Sequence, residues 1–595
     1  MHTSLKLNNN FLPGVNTSIL SSLIILAATP LQAFEFQSGE LSGTITSTVS
    51  YGISQRVEDR DLRLVSPGNS GGLGTGQSNT TDDGNLNYDD GDTFSNIVKG
   101  VHDIGLNYRN YGAFARVKWW YDFELNNSAV PHGHEPTSAT PNLELDDSGF
   151  NDLAQFDGIE LLDAFVFGEF ELGDKPLDVR LGKQVVNWGE STFIQGGINA
   201  INPFDVSAFR RPGAEIKEGL LPVNMLYANL GVTDNLSVEA FYQLKWEKTV
   251  IDGCGTYFSI LDYAAEGCDR VAVDTVAKVP DQILYTLAPL PHFVNRSTDR
   301  EADDSGQFGL SFRYYANELD TEFGLYYINY HSRIPYISGT KPTDGAGLGY
   351  FIAGSRDATY FADYPEDIQL IGLSFATNLG STAISGEISH RKDLPVQING
   401  NEILGAALLN GAGLTTTFTS KWNNQTTPGG IVEGWDPYDV SQAQITFIRF
   451  FEHVMGASRL TMIGEVGGTY VHDLPSLSTQ RYGRSAVFGL GSLTASNDGY
   501  VTESAWGYRA VAKLDYPNAF AGVRVSPSIS WKHDVDGVSP TPEFQEDRQA
   551  LGLGVTFSYK DTYNVGASYT SYLNDGDFDI LRDRDFVSLN ASVSF

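Results

Sequence analysis

Alternation of apolar and polar residues recurs along nearly the whole chain, and this period of two predicts β-strands with two unlike faces. The segment Leu236–Glu247 is an example, with an apolar face that carries Leu236, Val238, Ala240, Tyr242, Leu244 and Trp246. The segments 112–124 and 521–532 alternate in the same way. Because soluble β-sandwiches also alternate, this pattern alone leaves the class of all-β protein open.

The lengths of the connections narrow that choice. Along the chain, tight turns alternate with long segments. The tight turns lie near residues 109–111, 172–174, 233–234, 317–318, 378–380, 455–456, 517–518 and 561–562. The long segments are 57–96, 126–158, 188–219, 250–305, 337–365, 396–438, 474–502, 536–546 and 575–584. This pattern is typical of a transmembrane antiparallel up-and-down β-barrel with short periplasmic turns and long extracellular loops. We count about eighteen strands (sixteen to eighteen), from Leu41–Arg56 to Asp585–Phe595.

The two ends of the chain predict export and membrane insertion. A short apolar run, Ile19–Ala28, precedes Leu31-Gln32-Ala33, which has the small-residue pattern of a cleavage site. We therefore expect residues 1–33 to be a signal peptide and residues 34–595 to form one barrel domain. The last strand ends on Phe595, which resembles the signal read by the barrel assembly machinery. The expected location is the outer membrane of a Gram-negative bacterium, in contact with its lipids and lipopolysaccharide.

Charge and cysteine content restrict the chemistry of the exported chain. The net charge is −34, which argues against nucleic acid as a partner because phosphate binding needs a basic face. The chain has two cysteines, Cys254 and Cys268. In an oxidising compartment we expect them to form a disulfide that closes a loop of about 15 residues.

One stretch, Gly182 to Val223, starts as a strand and then departs from alternation. Its residues near 188–221 are too apolar and too rich in Gly and Pro for a solvated loop, so we expect them to fold inward and constrict the lumen. Asn202-Pro203 resembles a helix start and predicts two helical turns over Phe204–Arg211. The predicted constriction residues are Trp188, Glu190, Phe193, Ile198, Phe204, Arg210, Arg211 and Glu215. An external cap over the barrel is the alternative.

The polar faces of the predicted strands carry charges of both signs. The residues expected to line the lumen are Arg116, Lys118, Arg180, Glu239, Arg313, Glu387, Arg391, Glu465, Arg509 and Arg524. At about eighteen strands the lumen is too wide for side chains alone to fill. These charges therefore either form structural ion pairs or line a hydrated path.

Patterns for metal binding or catalysis are weak. The acidic run Thr81–Thr93 offers calcium ligands at Asp82, Asp83, Asp89, Asp90 and Asp92, but no glutamate follows at the offset of a full calcium loop. A solvated acidic loop is therefore favoured. His132 and His134 have no third ligand nearby, and other histidines such as His390 and His453 are scattered along the sequence. We expect no cofactor and no enzymatic activity.

Several segments resemble the proteobacterial outer-membrane barrel family labelled domain of unknown function 1302. They are DDGNLNYDDGD (82–92), the stretch Gly182–Val223, EFGLYYINYHSRIPY (322–336), SGEISHRKDLPVQIN (385–399) and GEVGGTYVHDLP (464–475). The resemblance implies companions: a periplasmic lipid-carrier-like protein and an RND-type exporter. It implies traffic of hydrophobic or lipid-like compounds, and it brings no catalytic mechanism.

These observations favour a channel for passive passage of small hydrophobic or amphipathic molecules across the outer membrane. Two other classes stay open. A hydrolase of lipid or polymer substrates would need a Ser, a His and a carboxylate within hydrogen-bond reach at one rim. A structural surface protein would use its acidic loops to bind cations.

Overall fold

The structure, a computed structural model, describes residues 33–135, 137–272, 278–286, 293–343, 358–409, 416–489, 497–573 and 576–595. Its strands are numbered β1 to β26 along the chain. Eighteen form a closed antiparallel barrel: β2 (Leu41–Arg56), β3 (Thr93–Tyr108), β4 (Tyr111–Asp122), β7 (Asp157–Leu172), β8 (Lys175–Gln184), β9 (Val223–Thr233), β10 (Leu236–Gln243), β13 (Phe308–Ala316), β14 (Thr321–Tyr330), β17 (Ile368–Leu379), β18 (Thr382–Gln397), β20 (Trp435–Glu452), β21 (Arg459–Val471), β22 (Ser504–Phe520), β23 (Val523–Asp536), β24 (Gln549–Tyr559), β25 (Tyr563–Tyr572) and β26 (Phe586–Ser594).

The barrel closes between its first and last strands. β2 pairs with β3 along one edge, and its other edge pairs with β26 from Thr48–Ser594 to Arg56–Phe586. A short strand, β1 (Phe34–Ser38), continues along that second edge beside Leu41–Ile45. The closed barrel of eighteen antiparallel strands confirms the fold predicted from alternation and connection length.

The two ends of the barrel differ as predicted. One end has only tight turns, such as Arg109-Asn110 between β3 and β4. The other end carries the long segments 57–92, 123–156, 185–222, 244–307, 331–367, 398–434, 472–503, 537–548 and 573–585. We refer to them as the turn end and the loop end.

The outer face of the barrel is apolar. Exposed side chains on this face include Leu226, Tyr242, Leu310, Phe312, Leu325, Ile371, Leu373, Ile388, Leu553, Val565 and Leu589. A closed barrel satisfies every backbone group of its strands internally, so such a surface is suited to lipid. Over the described ranges, no helix is long and apolar enough to cross a membrane.

The loop end is folded. Five short strands, β11 (Arg270–Ala272), β12 (Phe293–Arg296), β15 (Tyr336–Thr340), β16 (Thr359–Asp363) and β19 (Ile431–Val432), form a second sheet, and β5 (Ala129–Val130) pairs with β6 (Leu143–Glu144). Helical turns lie at Leu62–Leu64, Asp83–Leu86, Phe123–Asn127, Val206–Arg210, Ile216–Gly219, Asp281–Leu284, Gly400–Leu409, Thr417–Asn424 and Ala486–Phe488. Cys254 and Cys268 form the predicted disulfide and are fully buried. The predicted signal peptide lies outside the described residues apart from Ala33.

Candidate functional site: the constriction loop

The segment 185–222, between β8 and β9, lies inside the barrel, and we call it the constriction loop. One arm, residues 188–201, hydrogen-bonds to inward-facing residues as far away as Glu465 on β21. The other arm, residues 203–221, reaches the opposite way to Lys118 on β4 and Lys99 on β3. The loop therefore crosses the lumen between distant parts of the wall.

Two wall glutamates hold the backbone of the first arm. Glu465 accepts hydrogen bonds from the backbone N–H groups of Thr192, Phe193 and Ile194 at 2.9, 2.7 and 2.7 Å. Glu387 accepts from the backbone N–H groups of Glu190 and Ile198. Hydrogen bonds to a carboxylate are roughly twice as strong as those between neutral groups.

Glycines allow this close approach. Gly189 has φ +89, and a Cβ at Gly189 or at Gly197 would collide with the carboxylate of Glu387. Only a residue without a side chain can bring the backbone this near at both positions. Glycines at these two positions thus allow the loop backbone to hydrogen-bond to Glu387.

Apolar packing fixes the same arm against the wall of β10, β14 and β17. Trp188 is 1% exposed, its ring centroid lies 5.1 Å from that of Phe241, and its indole N–H donates to Glu239 at 2.7 Å. Ile198 and Ile201 are fully buried in the same cluster. Burying side chains of this size contributes about 1.5–3 kcal/mol each, so this arm is a packed element of the barrel interior.

Buried ion pairs anchor the second arm. Lys118 Nζ donates to Asp205 Oδ2 at 2.7 Å, and Lys99 Nζ donates to both carboxylate oxygens of Glu218 at 2.8 and 2.9 Å. All four side chains are at most 7% exposed. Removing one partner of such a pair leaves an uncompensated buried charge, so both pairs hold the arm in place.

The predicted helix is shorter than expected from Asn202-Pro203. It spans Val206–Arg210 and is capped by Asp205, which accepts from the backbone N–H of Ala208. The Asn202 side chain instead accepts from Val186 N and donates to Leu221 O, joining the two ends of the loop. The prediction of a helix start at Asn202 was wrong because this tertiary role competes with capping.

The eight predicted constriction residues do not all face the lumen. Trp188 and Ile198 are buried, and Phe204 and Glu190 are half-buried. Arg210 forms an ion pair with Asp252 at 3.0 Å, Arg211 lies over the ring of Trp120 at 4.5 Å, and Glu215 caps the helix Ile216–Gly219. Of the set, Phe193 is the large apolar side chain left exposed, at 38%.

Two further apolar residues of the constriction loop are exposed. Phe209 is 38% exposed and Ile216 is 75% exposed. Neither was among the predicted constriction residues, although Ile216 directly follows Glu215, which was. Together with Phe193 they present apolar surface, whereas Trp188, Ile198 and Ile201 of the same loop are buried.

The wall formed by β23, β24 and β25 is not attached to the loop. Within the part of the chain that the structure describes, and leaving Gln549 aside, no hydrogen bond or ion pair joins residues 185–222 to these three strands. In the register of the neighbouring strands, Glu465 lies opposite Arg509, and Arg509 lies opposite Lys532. Because Glu465 faces the lumen, Lys532 and every second residue before it on β23 face the lumen as well. These inward positions are mostly small or hydroxyl-bearing: Ser526, Ser528, Ser530, Gly552, Gly554, Thr556, Gly566, Ser568 and Thr570.

An aromatic patch lies on the inner face of β4 and β7. The rings of Phe114 and Phe165 have centroids 5.6 Å apart, and those of Phe165 and Phe167 lie 6.3 Å apart. Arg116 lies over Phe114 at 5.4 Å and Arg180 over Phe165 at 6.0 Å. Half-buried rings beside guanidinium groups form a surface that suits a molecule with an apolar body and an anionic end.

The ten predicted lumen residues fall into two groups. Lys118, Glu239, Glu387 and Glu465 bind the constriction loop as described above. The other six contact residues of the wall or of a tight turn: Arg116 with Asp103 and Asp163, Arg180 with Tyr227, Arg313 with Glu239 and Glu322, Arg391 with Gln442, Arg509 with Asp534, and Arg524 with Asp561. Lys99 was missed, although it lies four residues before Asp103 on the same face.

A serine and two histidines meet near the loop end of the barrel. Ser441 Oγ lies 3.0 Å from His390 Nδ1 and 2.9 Å from His472 Nε2. The nearest carboxylate, Asp439, is 3.9 Å from His390 Nε2, which is too long for a hydrogen bond. These groups therefore do not meet the geometric requirement for a hydrolase.

A family model described as protein of unknown function (DUF1302) matches residues 15–595. No curated protein matches the sequence. The crystal structure of OccAB2 from Acinetobacter baumannii is similar at 8% identity and a TM-score of 0.41, covering 93% of this chain and 98% of that one. A BenF-like porin from Pseudomonas fluorescens Pf-5 has 8% identity, a TM-score of 0.39 and coverages of 93% and 98%. The outer membrane channel DcaP of Acinetobacter baumannii has 8% identity, a TM-score of 0.34 and coverages of 94% and 99%.

Proposed function

We propose that this chain, which belongs to the DUF1302 family, is a passive outer-membrane channel for small hydrophobic or amphipathic molecules. The observation that carries the proposal is the constriction loop. It is anchored on both sides of the lumen, yet it leaves Phe193, Phe209 and Ile216 exposed. Exposed apolar groups in a water-filled interior cost free energy unless something apolar covers them.

The path of the solute runs between the constriction loop and the wall of β23 to β25, which no hydrogen bond or ion pair described above joins to the loop. That wall offers hydroxyl groups and glycines, and Ser530, Thr556 and Ser568 on it are exposed. A solute therefore meets apolar groups on one side and neutral hydrogen-bonding groups on the other.

The aromatic patch is the proposed contact for the solute beyond the loop. Its phenylalanines would take the apolar part, and Arg116 and Arg180 would attract an anionic end. A periplasmic lipid-carrier-like protein and an RND-type exporter are the proposed partners that deliver or receive the solute. Outer-membrane lipids and lipopolysaccharide would surround the barrel, and the barrel assembly machinery would insert it.

Uptake into proteoliposomes tests this function. Wild type should pass a fluorescent medium-chain fatty acid faster than a neutral sugar of similar size, as followed by quenching and by liposome swelling. Phe193→Ser with Ile216→Ser should lower fatty-acid uptake several-fold and leave sugar passage unchanged. Deleting residues 192–212 should raise passage of both solutes, and it should raise conductance in planar bilayers.

Leu553→Ser is a matched control, because Leu553 is 45% exposed on the outer, lipid-facing side. It removes apolar surface without touching the lumen, and it should leave both rates unchanged. If a folded barrel lacking residues 192–212 kept wild-type conductance and wild-type fatty-acid uptake, the constriction loop would have no role in selection and the proposal would fail.

A further inference from the structure

Four carboxylates lie buried together among the long loops. Asp82 and Asp83 come from the loop between β2 and β3, and Asp262 and Asp281 come from the loop between β10 and β13. Their side chains belong to residues that are 0%, 4%, 5% and 2% exposed. The sequence places the two pairs about 180 to 200 residues apart, so only the fold brings them together.

Part of this cluster is satisfied by hydrogen bonds. Asp82 accepts from the backbone N–H of Ser66 at 2.8 Å and from the amide of Asn69 at 3.0 Å. Asp281 accepts from Asn69 at 2.8 Å and from Asn79. One oxygen of Asp262 accepts from the backbone N–H of Asp82 at 3.0 Å. These contacts fix the carboxylates in place without neutralising them.

Other atoms of the cluster have no hydrogen-bond partner. They are Asp83 Oδ1, Asp262 Oδ1 and His132 Nε2, on residues more than nine-tenths buried. His132 Nε2 faces the cluster, 3.1 Å from Asp83 Oδ1 and 3.9 Å from Asp281 Oδ2. One ligand atom each of Asp82, Asp83 and Asp262 lie within 4.8 Å of one another, and so do those of Asp83, His132 and Asp281. Unpartnered polar atoms that converge in this way point to a ligand between them.

The electrostatics favour a cation as that ligand. Among the side chains that the structure describes, no arginine or lysine forms an ion pair with any of the four carboxylates. Burial, followed by the negative charge of the neighbouring carboxylates, raises the pKa of Asp83, Asp262 and Asp281 well above the ordinary range. Unpaired buried charges of one sign are costly, and a bound cation removes that cost.

We propose that Asp82, Asp83 and Asp262 bind one calcium ion, with Asp281 completing the ring of negative charge. Calcium is the occupant because the converging ligands are mainly carboxylate oxygens on irregular loops. His132 lies at the edge of the site and is not required as a ligand. The other aspartates of the acidic run do not take part: Asp89, Asp90 and Asp92 are exposed.

The ion joins loops that are far apart in the sequence. Asp82 and Asp83 belong to segment 57–92, His132 to segment 123–156, and Asp262 and Asp281 to segment 244–307. Asn87 already ties the same three segments, since its amide donates to Gly133 O and Gly255 O at 2.8 and 3.0 Å. Calcium would therefore hold these loop segments together at the loop end.

Calorimetric titration of calcium into the refolded, chelator-treated full-length protein tests the site. Wild type should bind one ion with a dissociation constant below about 1 mM, the weak end for extracellular calcium modules. Asp83→Asn and Asp262→Asn should each weaken binding at least tenfold. Asp90→Asn, an exposed neighbour in the same run, should leave binding unchanged. Heat-modifiable migration in gels verifies that each variant is folded.

Limited proteolysis of wild type gives a second readout that needs no variant. Calcium should protect segments 57–92 and 244–307 from cleavage, and chelator should expose them. His132→Ala should keep calcium binding. If wild type bound no calcium, if Asp262→Asn bound it as tightly as wild type, or if zinc bound in preference to calcium and was lost with His132→Ala, the proposal would be overturned.

Discussion

The glutamine variant of Glu465 is the sharpest test of how the constriction loop is held. Glu465 accepts four hydrogen bonds, from the backbone N–H groups of Thr192, Phe193 and Ile194 and from the Thr446 hydroxyl. Glutamine keeps one acceptor oxygen and places an N–H₂ group where the other oxygen was. Thr446 can rotate to accept from that group, but the N–H of Thr192 then has no acceptor.

The free-energy cost of Glu465→Gln follows from these contacts. Losing one hydrogen bond to a charged group costs about 1.5–3 kcal/mol, and the bonds that are kept lose their charge assistance. A total near 3 kcal/mol multiplies the population of the detached first arm by about two orders of magnitude, since 1.4 kcal/mol is about a factor of ten. Glu387 still holds Glu190 and Ile198, so the arm should detach transiently and not permanently.

Single-channel recording in planar bilayers measures this population. Glu465→Gln should show frequent excursions to a higher conductance level, and adding Glu387→Gln should lengthen them. Glu169→Gln is the control, because Glu169 is exposed near the turn end of β7. If Glu465→Gln gave the conductance level and the noise of wild type, the two glutamates would not hold the loop closed.

Three further predictions concern stability. Cys254→Ser with Cys268→Ser should destabilise the loop end by about 3 kcal/mol, because the disulfide closes a loop of about 15 residues; faster proteolysis without a change of conductance would show it. Burial raises the pKa of Glu135 from 4.5 to about 7, so the folded state holds a proton that the unfolded state releases. Stability should therefore fall by roughly 3 kcal/mol as the pH rises from about 4.5 to about 7, and Glu135→Gln should remove this pH dependence in thermal unfolding. Lys118→Met leaves Asp205 as a buried unpaired charge, and it should cost about 3–5 kcal/mol in urea unfolding; an unchanged midpoint would contradict the anchoring role of this pair.

The barrel could be predicted because its signals are local. Alternation within a strand and the length of each connection are read directly from neighbouring residues, and they led to the correct strand number. The disulfide was predictable for another reason, since Cys254 and Cys268 are the only cysteines in the sequence. In each case the sequence left few alternatives.

The contacts of the site depend on residues far apart in the chain. Glu387 and Glu465 were expected to line the lumen, but alternation cannot show that they bind the backbone of residues 190–198. No sequence pattern pointed to Asp262 and Asp281 as members of a carboxylate cluster, because their partners Asp82 and Asp83 lie in a different loop. Asn202 was misread because a good N-cap residue is equally suited to joining two chain ends.

The anchoring of the constriction loop also has a mechanical consequence for the barrel. One arm is fixed to β21 through Glu465, and the other is fixed to β3 and β4 through Lys99 and Lys118. The loop is thus a strut across the cross-section, and the wall cannot become more oval along that direction without stretching charged hydrogen bonds. We therefore expect flattening of the barrel by lateral membrane pressure to be coupled to release of the loop.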